Sequence, residues 1–124
     1  MNRMVVMIAA VCLVGCGRPE VELASVTGTV TLDGKPLSNA FVQFVPSRGG
    51  RAAGGATDET GRYELDYSAE DKGALVGTAK VLISTGDPEA GRKETVPPRY
   101  NRKTDLTAEV GQGANVLNFD LRSQ

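Results

Sequence analysis

Ser25-Val26-Thr27-Gly28-Thr29-Val30-Thr31-Leu32-Asp33-Gly34 is the stretch that decides the fold. Val26, Gly28, Val30 and Leu32 fall on one face, and Thr27, Thr29 and Thr31 on the other. That period of two marks a strand with one wet face. Asp33-Gly34 ends it with a hairpin-type turn, because Gly34 takes a positive φ at no steric cost. Residues 35–39 continue the connection, residues 41–45 form the second strand, and Pro46 closes it.

The same grammar continues downstream. Residues 47–55, with Gly49-Gly50 and Gly54-Gly55, are predicted to be a mobile loop. Ala56-Thr57 begins a short strand, Asp58-Glu59-Thr60-Gly61 turns, and residues 62–65 return as its partner with Tyr63 and Leu65 inward. After a polar connection, residues 76–85 form the longest strand, with Ala79, Val81 and Ile83 on one face. Residues 86–104 lack periodicity, and Pro97-Pro98 predicts a long loop with a stiff extended segment. Leu106, Ala108 and Val110 alternate in one strand, and Leu117, Phe119 and Leu121 in the last. No window beyond Cys16 sustains a helical period of 3.6. The expected fold is all-β, a single immunoglobulin-like sandwich of about seven strands over residues 25–124.

Composition removes whole classes of chemistry. The 124-residue chain has no His, which excludes Ser-His-Asp and Cys-His catalysis, a His general base and His-ligated zinc. With 14 Lys and Arg against 15 Asp and Glu, it lacks the basic surplus that drives nucleic-acid binding, so no nucleic-acid partner is expected.

The first residues are an address. Arg3 precedes the apolar run of residues 4–13, which is shorter than the roughly 20 residues a membrane-spanning helix needs. It has the form of a signal peptide over residues 1–15. Leu13-Val14-Gly15-Cys16 resembles the lipobox of bacterial lipoproteins. That resemblance implies cleavage between Gly15 and Cys16, lipid on the Cys16 sulfur, and a lipidated tether over residues 16–24. Cys12 lies in the segment to be removed, so Cys16 would have no intramolecular disulfide partner. Fatty acyl chains contribute about 0.8 kcal/mol per buried CH₂, which makes a multiply acylated cysteine a lasting anchor. Gly17 rather than Asp after the cysteine leans toward the outer membrane.

Val26-Thr27-Gly28-Thr29-Val30, then Gly34-Lys35-Pro36-Leu37, then Thr57-Asp58-Glu59-Thr60-Gly61-Arg62-Tyr63 also resemble the carboxypeptidase regulatory-like, transthyretin-like domain, in which such segments recur in this order. The likeness extends through residues 96–101 and 118–121, which are similar to the tail of small envelope lipoproteins. It implies fold more than chemistry, since those residues form turns and core faces.

Candidate interaction residues are the bases of the long loop, Arg92, Lys93, Arg99, Arg102 and Lys103, with Tyr100. They are suited to an anionic polymer or headgroup, although Asp87, Glu89 and Glu94 dilute the field. Tyr100 is expected to pack back on the sandwich and pin the loop. Tyr67 is a further aromatic able to contact a sugar or peptide. Asp58, Glu59, Asp66, Glu70 and Asp71 supply carboxylates without a calcium-loop spacing. No catalytic residue, metal or cofactor is expected. The sequence points to a lipid-anchored cell-envelope protein on the periplasmic or extracellular face, held to the membrane through Cys16. It would act as a non-catalytic binding or structural module with an envelope protein or polymer as partner. The alternatives are an accessory subunit supporting a separate envelope enzyme, or a dedicated periplasmic ligand-binding lipoprotein.

Overall fold

A computed structural model describes residues 21–124. The signal segment, Gly15 and Cys16 lie outside the described residues. The described residues are all-β, with ten strands in two sheets that face each other as a sandwich. In the first sheet β1 (Leu23–Leu32) is central. On one side it pairs antiparallel with β2 (Lys35–Pro36), β5 (Arg62–Glu64) and β6 (Ala74–Leu75). On the other it pairs parallel with β9 (Ala114–Val116) and β10 (Phe119–Leu121). The second sheet is antiparallel in the order β4 (Ala53–Ala56), β3 (Phe41–Pro46), β7 (Gly77–Ser84), β8 (Thr107–Val110).

The expected alternation of β1 is present: Val26, Gly28 and Val30 are buried and Thr29 is exposed. Val42 and Phe44 from β3, Val81 and Ile83 from β7, and Val110 from β8 meet them from the opposite sheet. Tyr63, Leu65 and Leu121 close the core. Burying each large apolar side chain contributes roughly 1.5–3 kcal/mol, so this layer holds the sheets together. Phe119 bridges them, 6.2 Å from Phe44 and 6.3 Å from Tyr63 between ring centroids.

Asp33 and Gly34 both have positive φ, 54° and 82°, the geometry of a two-residue type I′ hairpin. The Asp58 turn also forms as expected. Asp58 Oδ1 accepts from the Thr60 N–H and hydroxyl and from the Arg62 N–H, and these bonds, the Thr60 hydroxyl first, hold its carboxyl below the usual range.

Several expectations are corrected. The strand count is ten rather than about seven, because Lys35–Pro36 and Ala74–Leu75 pair briefly with β1 and the last strand is split in two. The split falls at Leu117-Asn118. There the Asn118 side-chain oxygen, rather than a backbone carbonyl, accepts the Thr29 N–H at 2.9 Å. β1 starts at Leu23, two residues before the sequence pattern begins. The glycine-rich stretch is not all loop: Gly54 and Gly55 lie inside β4, with the Phe41 ring against one and the Glu64 carbonyl against the other where side chains would stand. Strand β5 does not pair with the strand before its turn. β4 stays with β3, while β5 crosses to β1, so the Asp58 turn connects the two sheets. Pro98 opens a short 3₁₀ turn, Pro98–Tyr100, instead of continuing an extended run, and a second such turn spans Pro88–Ala90.

Candidate functional site

The sandwich has two distinct ends. Val21 and Glu22 at the start of β1 share a depression of about 550 Å³ with Pro46, Gly77 and Glu109, which places the end of β3, the start of β7 and the end of β8 beside them. β1 then runs ten residues, about 33 Å at strand rise. At the far end lie the Asp33-Gly34 turn, the C-terminal residues and the 86–104 loop. Asp33 accepts from the Ser123 N–H at 2.9 Å and from its hydroxyl at 2.5 Å. Those two bonds, the hydroxyl first, hold its carboxyl below the usual range.

The 86–104 loop is tied at many points. Glu94 is its inner clamp: Oε2 accepts from the Thr85 N–H at 2.8 Å, the Thr85 hydroxyl at 2.9 Å and the Val96 N–H at 3.1 Å, while Oε1 accepts from the Gly86 N–H at 3.2 Å. Burial by itself would raise the Glu94 carboxyl, but these hydrogen bonds outweigh it and hold it below its ordinary value. Asn101 Nδ2 donates to the carbonyls of Ile83, Val96 and Pro97. The Thr104 hydroxyl donates to the Val81 carbonyl at 2.7 Å, and the Val96 side chain is buried in the core.

The candidate bases do not act as one cluster. Arg92 turns to Asp87 at 3.4 Å. Arg99 donates to the Arg122 carbonyl at 2.6 Å and lies 4.8 Å from the Tyr100 ring centroid. Tyr100 packs against the core and its hydroxyl accepts the Arg122 N–H at 3.1 Å, which is the pinning role expected of it. Lys93, Arg102 and Lys103 are exposed. Away from this loop, Tyr67 carries the Arg51 guanidinium 5.6 Å from its ring centroid.

The acidic stretch is likewise distributed. Asp58 holds its turn. Asp66 and Glu64 flank Lys72 at 3.4 and 3.6 Å, solvent-exposed pairs that hold little of the fold. Among the described residues, no group of three or more His, Cys, Asp and Glu side chains is placed to hold a metal ion.

The feature that sequence reading missed is Phe41. It stands on the outer face of the second sheet, 49% exposed, with its ring over Gly54. Gln43 and Leu82 floor a cleft of about 270 Å³ between that ring and Asn101 and Arg102 of the long loop. Phe41 and Ser84 also border a second cleft of about 280 Å³ that ends at Asp87 and Arg92. The clue was available: with Val42 and Phe44 inward, strand parity sends Phe41, Gln43 and Val45 outward.

Fold and surface thus define a β-sandwich with a loop-walled cleft on one sheet. No protein-family model matches the chain, and no curated protein matches it in sequence. Among solved structures it is similar to a DUF3823 family protein from Parabacteroides merdae ATCC 43184, at 14% identity and a TM-score of 0.50. The match covers 82% of this chain and 46% of that one, so the chain spans under half of its neighbour's length. At that identity the likeness concerns the fold. Among the described residues no helix is long and apolar enough to cross a membrane.

Proposed function

We propose that this is a lipid-anchored envelope protein whose sandwich, of the carboxypeptidase regulatory-like and transthyretin-like kind, serves as a non-catalytic binding module. The observation that carries it is the placement of Leu13-Val14-Gly15-Cys16 seven residues ahead of a sandwich that begins at Leu23. Seven residues reach at most about 25 Å, so lipid on Cys16 would keep the Val21 end close to the bilayer. The clefts and the 86–104 loop, at the other end of β1, would then face away from the membrane toward the envelope partner. That geometry favours a polymer or protein partner over headgroups for Arg92, Lys93, Arg99, Arg102 and Lys103.

The sandwich assignment is supported by the roles of its motif residues. Gly28 makes room for the Leu117 carbonyl, Asp33-Gly34 forms the hairpin, and Thr57 and Asp58 build the corner between the sheets. The non-catalytic reading is supported by a chain without His, and by Asp58 and Glu94 carboxylates that accept from nearby backbone N–H and threonine hydroxyl groups. The test is metabolic labelling with an alkynyl fatty acid followed by membrane fractionation. The wild type should carry the label and sediment with membranes, and Cys16→Ser should do neither. An unmodified N-terminal peptide on the wild type, or membrane retention of the variant, would refute the anchor.

A further inference from the structure

We propose that the cleft between Phe41 and the 86–104 loop binds a carboxylate-bearing saccharide. The inference gives a ligand class to the binding module proposed above and does not depend on the anchor. Three observations support it.

The first is the aromatic ring. Half-exposed, with its ring tip over Gly54, Phe41 offers aromatic surface to the polarised C–H groups on one side of a sugar ring. The second is the set of polar groups around it. Among the described residues, the Gln43 amide, the Ser84 hydroxyl and the Arg102 guanidinium have no side-chain hydrogen-bond partner. An amide and a hydroxyl match sugar hydroxyls as donor and acceptor. Their setting is rigid, because Asn101 is bound to three carbonyls while its Oδ1 accepts the Arg102 N–H at 2.9 Å. A preformed wall lowers the ordering cost of binding.

The third is charge. Glu94 also lines the cleft, but both its oxygens accept from backbone N–H groups. The charge left without a partner is Arg102, whose planar fork matches a carboxylate. Beyond Phe41 and Ser84 the second cleft leads to Arg92, whose guanidinium is held at 3.4 Å by Asp87. The two adjoining hollows suit a short chain of rings better than one compact ligand. An extended peptide is a poorer fit, since β3 is already paired on both sides, with β4 and β7, and has no free edge for strand addition.

The full-length protein in detergent micelles is titrated with trigalacturonate, with maltotriose as the uncharged control, by saturation-transfer NMR and calorimetry. Trigalacturonate should bind at least about tenfold more tightly than maltotriose and weaken as salt rises. Phe41→Ala and Arg102→Gln should each weaken it about tenfold, while Val116→Ala, an exposed apolar side chain on the other sheet, should leave it unchanged. Arg102 is an exposed side chain, so its variant decides the matter if Phe41→Ala perturbs the fold. No trigalacturonate binding, equal binding of maltotriose, or binding untouched by both variants would overturn the proposal. Cys16→Ser should bind as the wild type does, so a failed anchor and a failed cleft give different results.

Discussion

Gly28→Ala is the sharpest test of how the first sheet is assembled. A β-carbon at this position would fall on the Leu117 carbonyl oxygen, 2.7 Å from its carbon and 3.0 Å from Tyr63 Cε1. The obstacle is backbone, and it is held from two sides: Tyr63 Oη donates to the Leu117 carbonyl at 2.6 Å and the Leu117 N–H donates to Thr27 at 2.8 Å. Making room means pushing the β9–β10 link away from β1 and weakening both bonds. Each is worth about 1 kcal/mol net, and overpacking in such a site adds roughly 1–3 kcal/mol. The unfolded alanine chain has less freedom to lose than glycine, which returns about 0.5–1 kcal/mol. The expected loss is about 2–4 kcal/mol. For a domain near 100 residues, at about 4–8 °C per kcal/mol, that lowers Tm by at least 8 °C. Urea unfolding followed by circular dichroism gives the value, with an unchanged m confirming that only stability moved. Gly111→Ala is the matched control, because its nearest neighbour to a new β-carbon is 3.8 Å away. A Gly28→Ala protein within 0.5 kcal/mol of wild type would refute the packing of Leu117 against β1.

Two further outcomes follow from buried or clamped polar groups. Thr57 is buried, and its hydroxyl accepts the Ala40 N–H at 2.9 Å and donates to the Leu37 carbonyl at 2.7 Å. Thr57→Val keeps the shape and orphans both groups, so chemical denaturation should show a loss of about 1–3 kcal/mol; a neutral result would remove Thr57 as the corner's anchor. Glu94 binds its proton less readily in the folded chain than in the unfolded one, so its contribution is complete above the unfolded glutamate pKa of about 4.3 and fades as pH falls through the lower folded value. Asp33 and Asp58 shift in the same direction, so the effect is read locally. Amide exchange at Thr85, Gly86 and Val96 should lose protection on acidification relative to the β7 core, and Glu94→Gln should lose it already at neutral pH. Unchanged protection in that variant would mean the loop does not depend on its clamp.

How much of the fold was legible depended on whether its cause was local. The alternation of β1, the type I′ turn at Asp33-Gly34 and the inward faces of β7 and β8 follow from side-chain parity and turn chemistry, and the structure reproduces them. Pairing is not local. The Asp58 turn has the chemistry of a hairpin, yet β5 leaves for β1, because Tyr63 and Leu65 complete the core from the first sheet. The parallel pairing of β9 and β10 with β1 joins segments about ninety residues apart, as in the Thr29–Asn118 contact, and no short-range pattern encodes it. Glycines were the least readable. Gly54 and Gly55 are loop residues by propensity, but in β4 the lack of a side chain is what the Phe41 ring and the Glu64 carbonyl require.

The surface followed the opposite rule, since what stood out in the sequence is largely spent in the structure. The loop's bases are conspicuous as letters, but Arg92 is committed to Asp87 and Arg99 to the Arg122 carbonyl, leaving the cleft to Arg102. Phe41 is inconspicuous because an aromatic in a strand suggests core, and its outward position follows only once Val42 and Phe44 are assigned inward. Even then, an outward phenylalanine becomes part of a cleft only through Gly54 beneath it and a loop clamped beside it by Glu94 and Asn101. Those partners come from β4 and from residues more than fifty positions downstream of Phe41, brought together by the β3–β4 and β3–β7 registers. The candidate site is therefore a product of tertiary register. Slipping β4 by one residue so that Ala53 rather than Gly54 stands opposite Gln43 would turn Gly54 to the core and put a methyl group under the ring, while leaving the composition of every segment unchanged.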